Sequence, residues 1–385
     1  MIAVTLGQRG MQELVMNSPD NFTTWEKGII ERGYCPEMPH GWFDQHSIGG
    51  DMGAKNEDFE VTELPAYLPC GEGEHIYLWI EKCGKTTLEI QKLLEKAYGV
   101  KEAEVGYAGK KDVHAITRQW FSVSSLHPPA DALDVIHAEP GVKVLHTTRH
   151  QNKLRMGHLR GNRFGVNLYG VTADDATIQM CCDRLMNEGF INYFGLQRFG
   201  YDGGNIAQGM RMLRGGHARL QQKKMYISAL QSAVFNLYAA RRFQLMRFNV
   251  VVGDVMQKIG GGCFVCEDPF IDAERARNGE IVVTGSLPGR KVKMGSGYTV
   301  ELETRCAHDL GLDWPPQETP DPDLLRLDVA RNLAEGDRRP LWIRPSHVSF
   351  TRLEAGDTLH FEFDLPSGCY ATVLLRHLCG SAFTR

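Results

Sequence analysis

Apolar and polar residues alternate through His75-Ile76-Tyr77-Leu78-Trp79-Ile80-Glu81, with Ile76, Leu78 and Ile80 on one side, which predicts a strand with one face turned to a core. The period then lengthens. Thr86 followed by Glu89 has the spacing of a capping box, Ile90, Leu93, Leu94 and Ala97 recur at helical intervals, and Gly99 supplies the stop. A short strand over residues 105–108 leads into the turn Gly109-Lys110-Lys111-Asp112, and a longer strand follows over residues 116–123. Residues 164–169 read as another strand, and Asp174 or Asp175 caps a helix that carries Ile178, Cys181 and Leu185 and closes at Gly189. Within residues 225–245 a strong helix begins at Ser228, with Leu230, Val234, Leu237 and Tyr238 at helical spacing. Glycine-rich short strands come next, then a proline-rich linker over residues 314–322, a last alternating strand over 359–364 and a helix over 371–378. Residues 1–50, rich in Gly, Pro and His, are expected to be irregular, with no chemistry assigned to them. Strands and helices that alternate without a fixed period point to an α+β fold.

The chain has 385 residues with a formal charge of −4, long enough for two domains and too nearly neutral for bulk charge to attract a polyanion. A nucleic-acid partner would need a local basic face. The start lacks a basic segment followed by an apolar one, and no apolar run is long enough to cross a bilayer, so a cytoplasmic protein without membrane attachment is expected. Ten scattered cysteines suit buried thiols in a reducing compartment, and no structural disulfide is expected. Cys263 and Cys266 have metal-ligand spacing, but no second such pair accompanies them, and no metal is assigned.

The most informative stretch is Tyr107-Ala108-Gly109-Lys110-Lys111-Asp112-Val113-His114-Ala115-Ile116-Thr117-Arg118-Gln119-Trp120. Two lysines precede one carboxylate in a tight turn, so local positive charge should keep Asp112 ionised and nucleophilic. Such a group can attack, or stabilise charge at, an anomeric carbon. Taken alone, an aspartate in a loop more often caps its own turn.

The surrounding sequence resembles the TruD family of tRNA pseudouridine synthases. Residues 108–123, AGKKDVHAITRQWFSV, are similar to that family's AG-x-KD-x-HA-x-T signature, and residues 192–200, NYFGLQRFG, to its NYFG-x-QRFG motif. Ile48-Gly49-Gly50, Asn56-Glu57-Asp58-Phe59-Glu60-Val61 and the GEGEH strand from Gly71 look like its opening. Arg149 through Phe164 resembles its RH-x-x-KLR-x-G-x-x-x-GN-x-F stretch, and Leu365 through Thr372 its closing motif. There are two departures. Gly53 stands where the family usually carries a lysine, with Lys55 two residues along, and the closing RE-L becomes Arg376-His377-Leu378.

The resemblance implies a pseudouridine synthase catalytic domain, a mixed and largely antiparallel sheet flanked by helices, formed from residues 1–217 and 341–385. A smaller α/β TRUD domain would be inserted over 218–340. It further implies isomerisation of a uridine, the one at position 13 of tRNA, by a monomer that needs no cofactor. Asp112 would be the nucleophile, Asn192 would orient it, Phe194 would stack on the flipped uracil and Tyr370 would line the base pocket. Lys55, Lys111, His114, Gln197 and Arg198 complete the candidate substrate-binding set. Two basic runs without acidic residues supply the RNA side: Arg149, Lys153, Arg155, Arg160 and Arg163, then Arg211, Lys223 and Lys224. A non-catalytic RNA-binding or RNA-chaperone protein is the main alternative. A glycoside hydrolase ranks behind it, since no second carboxylate is obvious as its acid.

Overall fold

In the computed structural model, the described residues are 22–247, 249–316, 321, 323–327, 333–353, 356–380 and 383. Contacts divide the chain into two compact units, 46–189 with 344–385, and 1–45 with 190–343. The first unit lays down β1 (Gly49–Met52), β2 (Phe59–Pro65), β3 (His75–Cys83), β4 (Val105–Tyr107), β5 (Ile116–Ser124), β6 (Val142–His150) and β7 (Leu159–Val171). They pair in the order β7-β2-β5-β3-β6, with β1 on β7 and β4 on β5. β2 and β5 are parallel, and the other pairs are antiparallel.

The expected inward face of β3 is realised. Ile76, Leu78 and Ile80 form a buried cluster with Ile90, Leu94, Ala97 and Ile136, contributed by the helices Thr87–Tyr98 and Ala132–His137. Each isoleucine or leucine side chain removed from water contributes roughly 1.5–3 kcal/mol, so this cluster is what holds the helix Thr87–Tyr98 on the sheet. Its ends follow the sequence: the Thr86 side chain accepts from the Glu89 N–H, Glu89 accepts from the Thr86 N–H, and Gly99 takes a left-handed φ of 66°.

The second unit holds β8 (Phe190–Ile191), β9 (Val255–Lys258), β10 (Cys263–Val265), β11 (Ile281–Leu287), β12 (Leu312–Asp313), β13 (Leu325–Arg326), β14 (Asp337–Pro340) and β15 (Trp342–Ile343). A four-stranded sheet runs β10-β9-β11-β14, while β12 pairs with β13 and β15 with β8. Three expectations are corrected here. Residues 1–50 are not irregular throughout, because a helix spans Thr24–Arg32, capped by a Thr23–Glu26 box and ended by Gly33 in the left-handed region. Residues 1–21 lie outside the described residues. The long helix starts at Leu220 and not at Ser228, running to Met246. Its first turn is exposed and gives no apolar period, yet Gln222 accepts a hydrogen bond from the Arg219 N–H at 3.3 Å and closes that end. The supposed linker begins with core, since Trp314 is buried and its indole donates to the Gly289 carbonyl at 3.3 Å. Residues 317–320 and 322 fall outside the described set.

The chain then returns to the first unit with β16 (Ser346–Arg352) and β17 (Leu359–Pro366), which extend the sheet as β16-β17-β7, and ends in the helix Ala371–Cys379. β17 pairs with β7 along its whole length, and Phe363 stacks on Phe164, which stacks on Phe59. The fold is α+β, with a mixed, largely antiparallel sheet flanked by helices, as the sequence led us to expect.

Candidate active site

Asp112 is exposed on the connection between β4 and β5. Buried polar groups from three elements fix that turn. Gln119, on β5, donates to the Gly109 carbonyl at 3.0 Å. Thr87, at the start of its helix, accepts from the Lys111 N–H at 2.9 Å and donates to Gln119 at 3.2 Å. Lys82, on β3, donates from its ammonium to the Asp112 carbonyl at 3.0 Å and to the Lys85 carbonyl at 2.6 Å. Thr87, Gln119 and Lys82 are all buried, so the backbone that presents the carboxylate rests on the sheet and not on its own loop. The carboxylate itself accepts a long hydrogen bond, 3.4 Å, from the N–H of exposed His114. Sequence reasoning missed Lys82, although the signal was present: it continues the face of Ile76, Leu78 and Ile80, where a lysine is out of character.

Lys111 does not point where its position beside Asp112 suggested. Its ammonium turns inward, 2.6 Å from Asn162 Oδ1 and 3.4 Å from Glu63, with both side chains of the ion pair buried. Burial pushes the Glu63 carboxyl up and the Lys111 ammonium down, and the pairing opposes both shifts. A cation that does feel the Asp112 charge is Lys82. Burial lowers the pKa of Lys82 to about 8, against the attraction of Asp112.

Lys55 is exposed at the 3-10 turn Asn56–Asp58, and its N–H donates to Asp58 at 3.0 Å. Burial acts to raise the Asp58 pKa, but hydrogen bonds from Tyr169, Lys55 N–H and Asn167 and the Lys55 charge outweigh it, leaving the carboxyl below its ordinary value. Gly53 has no room for a side chain: a Cβ there would sit 2.0 Å from Asp58 Oδ2 and 2.6 Å from a Tyr169 ring carbon. Tyr370, half-buried, caps the last helix and its carbonyl accepts from the Val373 and Leu374 N–H groups. His377, fully buried on that helix, bonds the Val373 carbonyl through Nδ1 at 2.8 Å.

The first basic run lies along β6, β7 and the segment joining them. Lys153 and Arg155 line a cavity of about 820 Å³ together with Tyr67, His75, His150 and His158. They also border a second one of about 800 Å³ beside Tyr107. Arg149 donates to the Gly73 carbonyl and Lys153 to the Ala103 carbonyl, Arg160 holds the Pro65 carbonyl, and Arg155 is exposed. Arg163 is paired in a fork with Asp364 at 2.7 and 2.9 Å while keeping 46% of its side chain exposed. Among the described residues, no group of three or more His, Cys, Asp or Glu is placed to hold a metal ion.

In the other unit, Asn192 and Phe194 follow β8. Asn192 is buried: its Nδ2 donates to the Pro340 carbonyl at 2.9 Å and its Oδ1 accepts from Arg339 at 2.7 Å. The Arg339 guanidinium lies 4.0 Å from the centre of the Phe194 ring, and Arg198 lies 5.4 Å from the same ring while donating to Ser232 at 3.0 Å. Phe194 is 6% exposed, its N–H donates to Asn236 and its carbonyl accepts from Asn236. Arg339 is a second residue the sequence reading missed, for it belongs to none of the recognised motifs. Gln197 is exposed on the 3-10 turn Leu196–Arg198; Arg211 lies on the helix Gly204–Leu213, and Lys223 and Lys224 on the first turns of the long helix.

The sequence profile described as tRNA pseudouridine synthase D (TruD) matches residues 37–220 and 204–378. A protein of Thermus thermophilus named tRNA pseudouridine synthase D is 39% identical over 339 residues, covering 87% of this chain and 90% of its own. One of Anaeromyxobacter dehalogenans with the same name is 38% identical over 352 residues, covering 89% and 96%. A solved structure from Methanosarcina mazei that carries the TruD assignment superposes with a TM-score of 0.68 over 91% of this chain and 97% of its own, at 20% identity, a likeness of fold. With most of its length matched by that profile and by relatives above one-third identity, the chain belongs to the tRNA pseudouridine synthase D family.

Proposed function

We propose that this protein isomerises a uridine of tRNA, at position 13, to pseudouridine, with Asp112 as the essential carboxylate. The observation that supports it most is an exposed aspartate on a turn anchored by three buried polar groups, in a chain of this family. In the reaction the C1′–N1 bond breaks, the base rotates, a C1′–C5 bond forms, C5 gives up its proton and N1 gains one. The product is an isomer, so the balance calls for no cofactor. The base must first leave its stack, and an aromatic face offsets the stacking that is lost. In this reading Asp112 either adds to C1′ or assists departure of uracil to a glycal. Asn192 donates to the carboxylate, Phe194 receives the base, and Tyr370 lines its pocket with Lys55, His114, Gln197 and Arg198. The basic residues named above take the phosphates, and Arg155, Arg160, Arg163, Arg211 and Lys224 among them are exposed. The same reading takes residues 218–340 as a domain inserted into the catalytic frame of a cytoplasmic monomer.

Incubation with unmodified tRNA transcripts, followed by chemical mapping of pseudouridine, tests substrate and reaction together. Asp112→Ala is expected to abolish the product while tRNA affinity stays within about twofold. Absence of pseudouridine with the unaltered protein sinks the reading, and product from Asp112→Ala sinks the assignment of the carboxylate.

A further inference from the structure

Lys82 is a lysine in a place made for an aliphatic side chain. It is 0% exposed, on the strand face it shares with Leu78 and Ile80, and its ammonium makes no ion pair within 4 Å among the described residues. Its donors go to two backbone carbonyls, those of Lys85 and Asp112. Burying an ammonium against neutral acceptors is unfavourable, and a neutral donor could hold two carbonyls without that cost. The same turn shows the alternative at work, because Thr87 and Gln119 secure Lys111 and Gly109 with uncharged groups. The charged donor, which also holds the Lys85 carbonyl, is the one that reaches the residue whose side chain is an anion.

We propose that Lys82 is the positioning residue of this site, tying the Asp112 turn to β3 and holding a fixed positive charge behind the Asp112 carboxylate. This rests on the reading of Asp112 given above. The charged and titratable groups around Lys82 are Asp112 and Lys111 on the turn, Glu89 on the facing helix and Cys83 beside it on the strand. Of these, Asp112 is the strongest influence favouring the protonated amine, and burial opposes it. Deprotonation as pH rises through about 8 removes the charge, so the chemical step should slow on the alkaline side.

The test is single-turnover pseudouridine formation on saturating, unmodified tRNA across neutral and alkaline pH, for the unaltered protein, Lys82→Met and Lys82→Arg. The unaltered protein is expected to lose rate above about pH 8. Lys82→Met is expected to be slower by about tenfold or more at neutral pH and to lack the alkaline decline, with tRNA affinity within about twofold. Lys82→Arg, which stays charged, is expected to recover part of the rate and to show no decline. An unaltered protein whose rate is flat through this range overturns the inference even if Lys82→Met fails to fold. So does a Lys82→Met that keeps both rate and profile, or one whose tRNA affinity and thermal stability fall together with the rate. A protein that forms no pseudouridine at all refutes instead the underlying reading.

Discussion

Arg339→Ala removes a side chain that serves two candidate residues at once. The guanidinium gives Asn192 Oδ1 a charge-assisted hydrogen bond of 2.7 Å and its carbonyl a second of 3.2 Å, and it lies 4.0 Å from the Phe194 ring centre. A hydrogen bond to a charged group contributes about 1.5–3 kcal/mol, and a partly desolvated cation over a ring about 1–2 kcal/mol. Arg339 is half-buried, so part of this is recovered by solvent, leaving a loss of about 2–4 kcal/mol. Two consequences can be separated. Thermal denaturation of the full chain should shift down by several degrees, at roughly 2–4 °C per kcal/mol for a domain of this size. The single-turnover rate on tRNA should fall further than stability explains. Without Arg339 the Asn192 amide keeps its bond to the Pro340 carbonyl but loses the one at its oxygen, and the Phe194 ring loses the nearer of two guanidinium groups. Arg339→Lys keeps the charge but not the planar fork, and should restore stability more than rate. The reasoning fails if Arg339→Ala leaves both melting temperature and rate unchanged, or if Arg339→Lys restores rate in full.

Arg155→Ala should weaken tRNA binding at every sequence tested and lower the slope of log affinity against log salt by about 1, read by filter binding across a salt series. An unchanged slope would take Arg155 out of the RNA contact. In the other unit, Arg242 and Asp254 are paired at 2.8 Å with side-chain exposures of 1% and 0%. Arg242→Ala leaves that carboxylate buried and should cost about 3–5 kcal/mol in a denaturant titration; the double change Arg242→Met with Asp254→Leu should cost less.

Much of the first unit was legible because its elements carry their own boundaries. The Thr86–Glu89 box, Gly99 and the alternation from Ile76 to Ile80 are local signals, and the structure follows each of them. Elements whose ends are decided by packing were read less well. The first turn of the helix Leu220–Met246 is exposed and has no apolar period, and Trp314 looked like linker because the prolines beside it hid its burial. The candidate carboxylate was found by motif. Its support was not, because Thr87, Gln119 and Lys82 come from a helix start and two strands, and only pairing of β3 with β5 brings them to one turn. Lys111 misled for the same reason: adjacency to Asp112 in sequence says nothing about which way an ammonium turns once Glu63 and Asn162 are buried beside it.

β17 sits inside the nine-stranded sheet, between β16 and β7, although it follows both of them in the chain. Until residues 359–366 leave the ribosome, β7 has an open edge along eight positions where β17 will pair. A chain stopped short of Leu359 would present that edge, with Phe164 and Val166 uncovered, as a template for another copy. Emergence of residues 359–366 is therefore the step that covers this edge of β7.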